Sequence, residues 1–527
     1  IKETLKLKKG IFGDQHPSTL DSMGQLAKSY QDAGQLEKAL PLFEETLRLK
    51  RLVHGDDHLR TLESMTDLAV AYRNGGQLDK ALPLMEETLK LKRMKLGDNH
   101  PETYRSMGYL AGVYQATGHI DKALPLMEET LKRKRDKLGD EHPETLNAMN
   151  SLALGSRSAE KHDKALPLFE KALKGFQDKV GKDHTHTITI MGNLALCYED
   201  CGQLDKALPM LEETLKLNKA KKGNNHPETL LSMYNLAVAN ARAGQIVRAL
   251  PMMEESLKLI RAKLGDEHPL TLSNMHNLAH CYMNTKQLDK ALPLFEVTLK
   301  LRKTKLGADH PDTLVTMNSL GEAYDAADQL EKALPLFEVA LKFSRTKLGD
   351  NHPKTLIIMN NLAKIYGDTG QLSKAVSLFE DILRHRKMQQ GPDHPDTLIS
   401  MTNLARGYQE GKQFDKALPL FEEAAQEIAK LRNQHEKARF IIPKTIVAYL
   451  AAKEFDKAES WQKRWLAHLR TEVGNDSSAY ANELAEYGLS LFQRKKSWEA
   501  EVTLRECLTI REKKEPDAWT TFNTQFL

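Results

Sequence analysis

Histidine occurs at positions 16, 58, 100, 142, 184, 226, 268, 310, 352 and 394, each 42 residues from the next. The same phase carries glycine from Gly13 to Gly391, threonine from Thr19 to Thr397, methionine from Met23 to Met401, leucine from Leu26 to Leu404 and glutamate from Glu44 to Glu422. A fixed period of this length means that each repeat is one small supersecondary unit, which must bury its apolar face against its neighbours. The segment Glu3-Thr4-Leu5-Lys6-Leu7-Lys8 matches Glu87-Thr88-Leu89-Lys90-Leu91-Lys92, so residues 1–12 read as the remnant of a preceding repeat.

Within the first full repeat, Leu20, Met23, Leu26, Ala27 and Tyr30 follow three- and four-residue spacing, one stripe of an amphipathic helix A. After the break Ala33-Gly34-Gln35, a second stripe of Leu36, Ala39, Leu40, Phe43 and Leu47 predicts a helix B packed back on the first. Asp14-Gln15-His16-Pro17 supplies capping side chains and then a proline for the first turn of helix A. Helix B carries Pro41 near its start, then Glu44 and Glu45, then Arg48, Lys50 and Arg51, an order that suits the helix dipole. Helices of about 15 to 18 residues would be about 22 to 27 Å long. The predicted fold is all-α, a right-handed α-solenoid of antiparallel helix pairs, with stacking burial as its source of stability.

Composition narrows the function. The 76 basic and 72 acidic side chains leave a net charge of +4, which gives no basic excess for nucleic acid. A mean hydropathy of −0.52 with 40% apolar residues fits a helical protein rich in charged surface. Cys197, Cys201, Cys281 and Cys507 form no C-x-x-C motif, so neither a disulfide framework nor a zinc site is expected, and a reducing cytoplasmic setting fits. No apolar run approaches the roughly 18 to 20 residues of a membrane span. No G-x-x-x-x-G-K-[ST], H-E-x-x-H or G-x-S-x-G motif occurs, so no enzyme, cofactor or metal is expected.

The pattern Leu26-Ala27-x-x-Tyr30, Gly34-Gln35, Lys38-Ala39 and Phe43 resembles the tetratricopeptide consensus. With the period of 42 and the segments Leu348-Gly349-Asp350-Asn351-His352-Pro353 and Met359-Asn360-Asn361-Leu362-Ala363-Lys364-Ile365-Tyr366, it resembles the long-helix, kinesin light chain-like subtype, of a kind also found in many bacterial proteins. The resemblance implies a concave groove lined by helix A positions 21, 24, 25, 28 and 31 and their equivalents. Position 25 reads Gln25, Asp67, Tyr109, Ser151, Asn193, Asn235, Asn277, Ser319, Asn361 and Asn403, and position 24 adds Asn150, Asn318 and Asn360. In that family such asparagines bond the backbone of an extended peptide; the alternative is that they bond neighbouring helices or water. Leu196, Leu231, Tyr234 and Val238 suggest an apolar anchor site. Arg105 and Arg157 before them, with Lys364 and Arg406 after, suggest acidic flanks on the ligand. The expected function is a protein-binding scaffold. The alternative is the regulatory or substrate-recruiting arm of a larger signalling protein, since in some bacterial relatives similar arrays follow a serine/threonine kinase domain.

Other ladders have plainer readings. Equivalent histidines in successive repeats should lie roughly 10 Å or more apart, too far for one ion, which favours capping. Met23 is in phase with Leu20, Leu26 and Tyr30 and reads as core. Cys197 and Cys201 sit four apart on one helix with no third ligand in the sequence nearby, and structural thiols are commoner. Lys132-Arg133-Lys134-Arg135 ends a helix B, where cations are favoured anyway. Ten repeats are expected over 13–432, two divergent helix pairs over 433–513 and the start of another repeat over 514–527. Pro443 should kink its helix or make it begin late. Trp461, Trp465, Trp498 and Trp519 suggest a capping core, with a docking surface as the alternative.

Overall fold

The computed structural model describes residues 1–430, 440–515 and 524, which among them hold helices and connecting turns and no strand. The packing separates two compact units, Ile1–Asn274 and Met275–Leu527. Within each, antiparallel helix pairs stack in tandem as an α-solenoid. Each helix A of the ten repeats has 16 residues, as in Pro17–Asp32 and Pro353–Asp368. Helix B has 19 residues in Leu36–His54 and its next eight equivalents.

The conserved phase of the repeat has a local cause at each position. The histidine is itself the N-cap of helix A: its Nδ1 accepts the backbone N–H two residues on, at 3.3 Å from Ser18, 3.2 Å from Glu102 and 3.1 Å from Asp312. All ten histidines do this. The aspartate two residues earlier bridges back to helix B instead, as in Asp56 with Arg51 at 3.2 Å and Asp98 with Arg93 at 3.1 Å. The threonine is fully buried, and in several repeats it ties the new helix to the end of the old one: Thr103 Oγ1 donates to the Gly97 carbonyl and Thr187 Oγ1 to that of Gly181, both at 2.8 Å. Glycine ends helix B in the first nine repeats with φ near +80° and ψ near 165°, as at Gly97 (φ 78°, ψ 166°), a region open essentially to glycine alone.

Pro41 is the sixth residue of its helix, in the second turn, so the helix forgoes one backbone hydrogen bond there. Its neighbours carry the packing: Leu20, Met23, Ala27, Ala39 and Phe43 are all buried, and every methionine of the ladder lies in the core. At roughly 1.5 to 3 kcal/mol per large apolar side chain, this repeated seam is the main stabilising contribution.

The repeats are also clasped by tyrosine. Tyr72 Oη donates to Glu44 of the preceding repeat at 2.6 Å, and Tyr198 to Glu170 and Tyr366 to Glu338 do the same at 2.6 and 2.8 Å. A lysine of the same repeat covers each ring, as Lys80 does Tyr72 at 5.3 Å. This gives the glutamate ladder a role beyond the helix dipole.

After the tenth repeat come helices Ile441–Ala451, Phe455–Glu472, Ser478–Gln493 and Ser497–Lys514. The first begins late, which puts Pro443 in its first turn, where a missing N–H is harmless. Trp461 and Trp465 are buried, and Trp461 Nε1 donates to Glu422 at 2.9 Å. Trp498 departs from the core reading: it is 75% exposed on helix Ser497–Lys514. Trp519 and the expected repeat start at Pro516-Asp517-Ala518 lie outside the described residues. No helix among the described residues is long and apolar enough to cross a membrane.

Candidate peptide-binding face

Helices A of successive repeats approach one another, Leu59–Asn74 with Pro101–Ala116 in the first unit and Pro311–Ala326 with Pro353–Asp368 in the second. Within each unit the helices A therefore share one side, here called the inner face. Positions 21, 24, 25, 28 and 31 lie on it. In the first unit Asn150, Asn193, Tyr234, Asn235 and Val238 are half-buried and Leu231 is exposed; in the second Asn277, Asn318, Asn360, Asn361, Asn403 and Arg406 are half-buried and Lys364 is exposed. None is sealed in the core.

The asparagines bond one another across the repeat junctions. Asn193 Nδ2 donates to Asn150 Oδ1 at 3.1 Å, Asn361 to Asn318 at 3.0 Å and Asn403 to Asn360 at 3.0 Å. Position 25 of one repeat thus meets position 24 of the repeat before it. Each such bond uses one of the two amide hydrogens on the donor. Asn318 and Asn361 also donate to Glu322, at 2.9 and 2.7 Å. Burial pushes the Glu322 carboxyl up, against the lowering effect of those two amides. Asn235 is placed differently, because its position-24 counterpart is Gly192, which has no side chain to meet it.

The cations expected to select acidic flanks are already matched. Lys364 pairs with Asp325 and lies 3.8 Å from Asp368; Arg406 is 3.5 Å from Glu410. Arg157 meets Asp200 at 2.5 Å and Arg105 meets Glu102 at 2.9 Å. A face whose positive charges are internally compensated gives little preference for an acidic ligand, so the acidic-flank expectation loses its support.

The inner face holds clefts that the apolar-anchor reading did not locate. One of about 540 Å³ spans repeats one to three and mixes Asp21, Glu63 and Asp67 with Lys28, Arg60 and Arg105. A second, of about 520 Å³, lies among Tyr109, Leu154, Met127, Arg73 and Arg105. Gly108 and Gly112, one turn apart on the same helix, leave the space for it. In the second unit a smaller apolar cleft of about 230 Å³ is lined by Leu314, Val315, Ile357 and Asn318. The signal missed in the sequence was the glycine at positions 24 and 28, where an absent side chain shapes the surface.

Repeat seven places His276 and His280 on this face against Phe295, with ring centroids 5.5 and 5.2 Å from it. His280 Nε2 lies 2.9 Å from Ser319 Oγ of the next repeat. Burial holds both imidazoles below the usual histidine range, well below for His276.

A family model described as tetratricopeptide repeat matches residues 1–51, 18–94, 72–136, 102–178, 186–262, 229–304, 270–346 and 374–426. Among solved structures, nearly identical TPR-like repeats of a kinesin light chain-named protein from Podosopora anserina are 28% identical, with a TM-score of 0.35; the match covers 38% of this chain and 96% of that one. BtubC (BKLC) from P. vanneervenii is 20% identical with a TM-score of 0.39, covering 44% of this chain and 93% of that one. No curated protein matches the chain. The tandem family matches run through most of the sequence, on the same helix pairs that the structure shows, and the chain belongs to the tetratricopeptide repeat family.

Proposed function

We propose that the helix A face binds an extended segment of a partner protein, using the asparagine ladder to hydrogen-bond its backbone and the adjoining clefts to take its side chains. Tetratricopeptide repeats in general mediate protein–protein interaction. The observation that carries the finer reading is the open amide row. The cross-repeat bonds fix the asparagines in advance, and preorganised donors and acceptors bind with less loss of rotamer freedom. An extended peptide, whose N–H and C=O groups project at regular intervals, is the ligand that such a row matches. Val315 and Ile357 would receive an apolar side chain beside Asn318, while compensated charge elsewhere makes recognition dependent on shape and hydrogen bonds.

Peptides selected from a random library against the intact chain provide the test, with affinities read by fluorescence anisotropy. Asn235→Ala removes an amide and, on this reading, weakens binding about 5-fold, the equivalent of roughly 1 kcal/mol for one hydrogen bond. Lys258→Ala, on the exposed side of helix Ile246–Leu264, leaves binding unchanged. Selected peptides that bind the inner-face variants as well as the parent, with helical content intact, would discard the proposal.

A further inference from the structure

At the junction between repeats four and five, His162, Cys197 and Cys201 bring one ligand atom each within 4.8 Å of one another. We propose that these three side chains form a binding site for a thiophilic divalent cation of the zinc class, which clips helix His162–Val180 to helix Thr185–Asp200.

The strongest argument comes from the repeat itself. His162 occupies the first position of helix B, where the other nine repeats place an aliphatic or aromatic residue, from Leu36 and Leu78 to Phe414. The residue equivalent to Cys197 is alanine at 71, 239 and 323, and that equivalent to Cys201 is alanine at 33, 159, 243 and 327. At the junctions after repeats one, five and seven the equivalent positions thus hold a leucine and two small residues, while Val113, Ile365 and Cys281 stand at the Cys197 position in other repeats. Only here are all three exchanged together for metal-ligating types, although they lie 35 and 39 residues apart in sequence and meet only through the fold.

The local geometry agrees. Cys197 and Cys201 are one turn apart on the same face of their helix, with the Cys201 N–H donating to the Cys197 carbonyl at 3.1 Å. Cys197 is fully buried among the apolar side chains of this junction, while His162 and Cys201 are half-buried. The Nδ1 atom of His162 is shielded from solvent and has no hydrogen-bond partner among the described residues, a position that a protein rarely leaves unfilled. Zinc bonds of about 2.3 Å to sulfur and 2.0 to 2.1 Å to nitrogen bring ligand atoms to within about 4 Å of each other. A closure of about 1 Å is within reach of the rotamers of His162 at the first residue of its helix. Two sulfurs and an imidazole favour zinc-class ions over magnesium or calcium, which take oxygen ligands. The partial exposure leaves a fourth position for water.

Binding must release protons. Cysteine binds a metal as the thiolate, so each thiol must give up its proton to take part. The cation displaces one proton from each sulfur to the buffer and forms two metal–thiolate bonds, whose two negative charges balance its own. Nothing is oxidised or reduced.

The test uses the full chain under reducing conditions, titrated with Co²⁺ and followed by the thiolate-to-cobalt charge-transfer absorption, with Zn²⁺ then added in competition. One equivalent saturates the site, and Zn²⁺ bleaches the band. Each of His162→Leu, Cys197→Ala and Cys201→Ala installs the residue that other repeats carry at that position, so the fold is kept; each weakens binding by about 100-fold or more, at least the loss seen on disturbing a supporting residue. Cys281→Ala binds as the parent does. Because binding releases protons, apparent affinity falls as the pH is lowered. Absence of a charge-transfer band, or a band that persists in Cys197→Ala/Cys201→Ala with helical content unchanged, overturns the assignment.

Discussion

A histidine N-cap differs from the commoner aspartate or serine cap in one respect: it accepts a hydrogen bond only while its Nδ1 is unprotonated. Replacing His142 by alanine should lower stability by about 1 kcal/mol, and replacing it by asparagine should restore most of that, as measured by chemical denaturation. Acid adds a second effect. Burial lowers the imidazoles of His54, His268, His276 and His280, so the folded state resists protonation that the unfolded chain accepts near pH 6.5. Stability from these groups is present above about pH 6.5 and lost as pH falls below it, so the melting temperature should drop between about pH 7 and 5. A flat profile over that range would contradict the burial of these rings. The sequence located the capping segment but not the capping atom, since Asp14, Gln15 and His16 are all capable acceptors. The choice depends on the direction in which the chain leaves helix B, which puts the aspartate beside a cation and the histidine over the new helix.

The boundaries of the helices were legible because they follow from near-neighbour spacing: proline after histidine opens helix A, glycine closes helix B, and the apolar stripe between them has the α-helical period. Contacts between elements were harder to read. The clasp from Tyr72 to Glu44, like the asparagine pairs 43 residues apart, depends on how one helix crosses the next, a quantity that period alone leaves open. Tyr366→Phe should cost about 1 kcal/mol, since Glu338 remains accessible to water and the bond is only partly shielded. Burial, then the bond to glutamate, pushes Tyr72, Tyr114, Tyr198, Tyr324 and Tyr366 up to about 12. In the unfolded chain these phenols ionise near pH 10. Their contribution is therefore complete below about pH 10 and disappears as pH rises toward 12, and tyrosinate absorption should appear together with loss of helical signal. The third ligand of the cysteine pair was missed for the same reason as the clasps: His162 is remote in sequence, and only its departure from an apolar position marked it.

In each compact unit the helices touch mainly their immediate neighbours along the chain, so stability accumulates junction by junction. A chain ending at Gly265 should keep about the same helical signal per residue as the full protein and unfold at a somewhat lower denaturant concentration; collapse of its circular dichroism would show that distant repeats are required. The sequence reading assigned selectivity to cations that the structure pairs with carboxylates, as Arg157 with Asp200 and Arg105 with Glu102. Charge in a sequence is visible, whereas its neutralisation by a neighbouring repeat is not. The glycine that closes helix B in the first nine repeats has a further consequence. Its torsion angles lie where natural chiral residues are strained and their mirror forms are at ease. D-alanine introduced by chemical ligation at Gly265 should thus be accepted without loss of stability while L-alanine is penalised, so this array turns each corner at a point where the handedness of its own building blocks would be a hindrance.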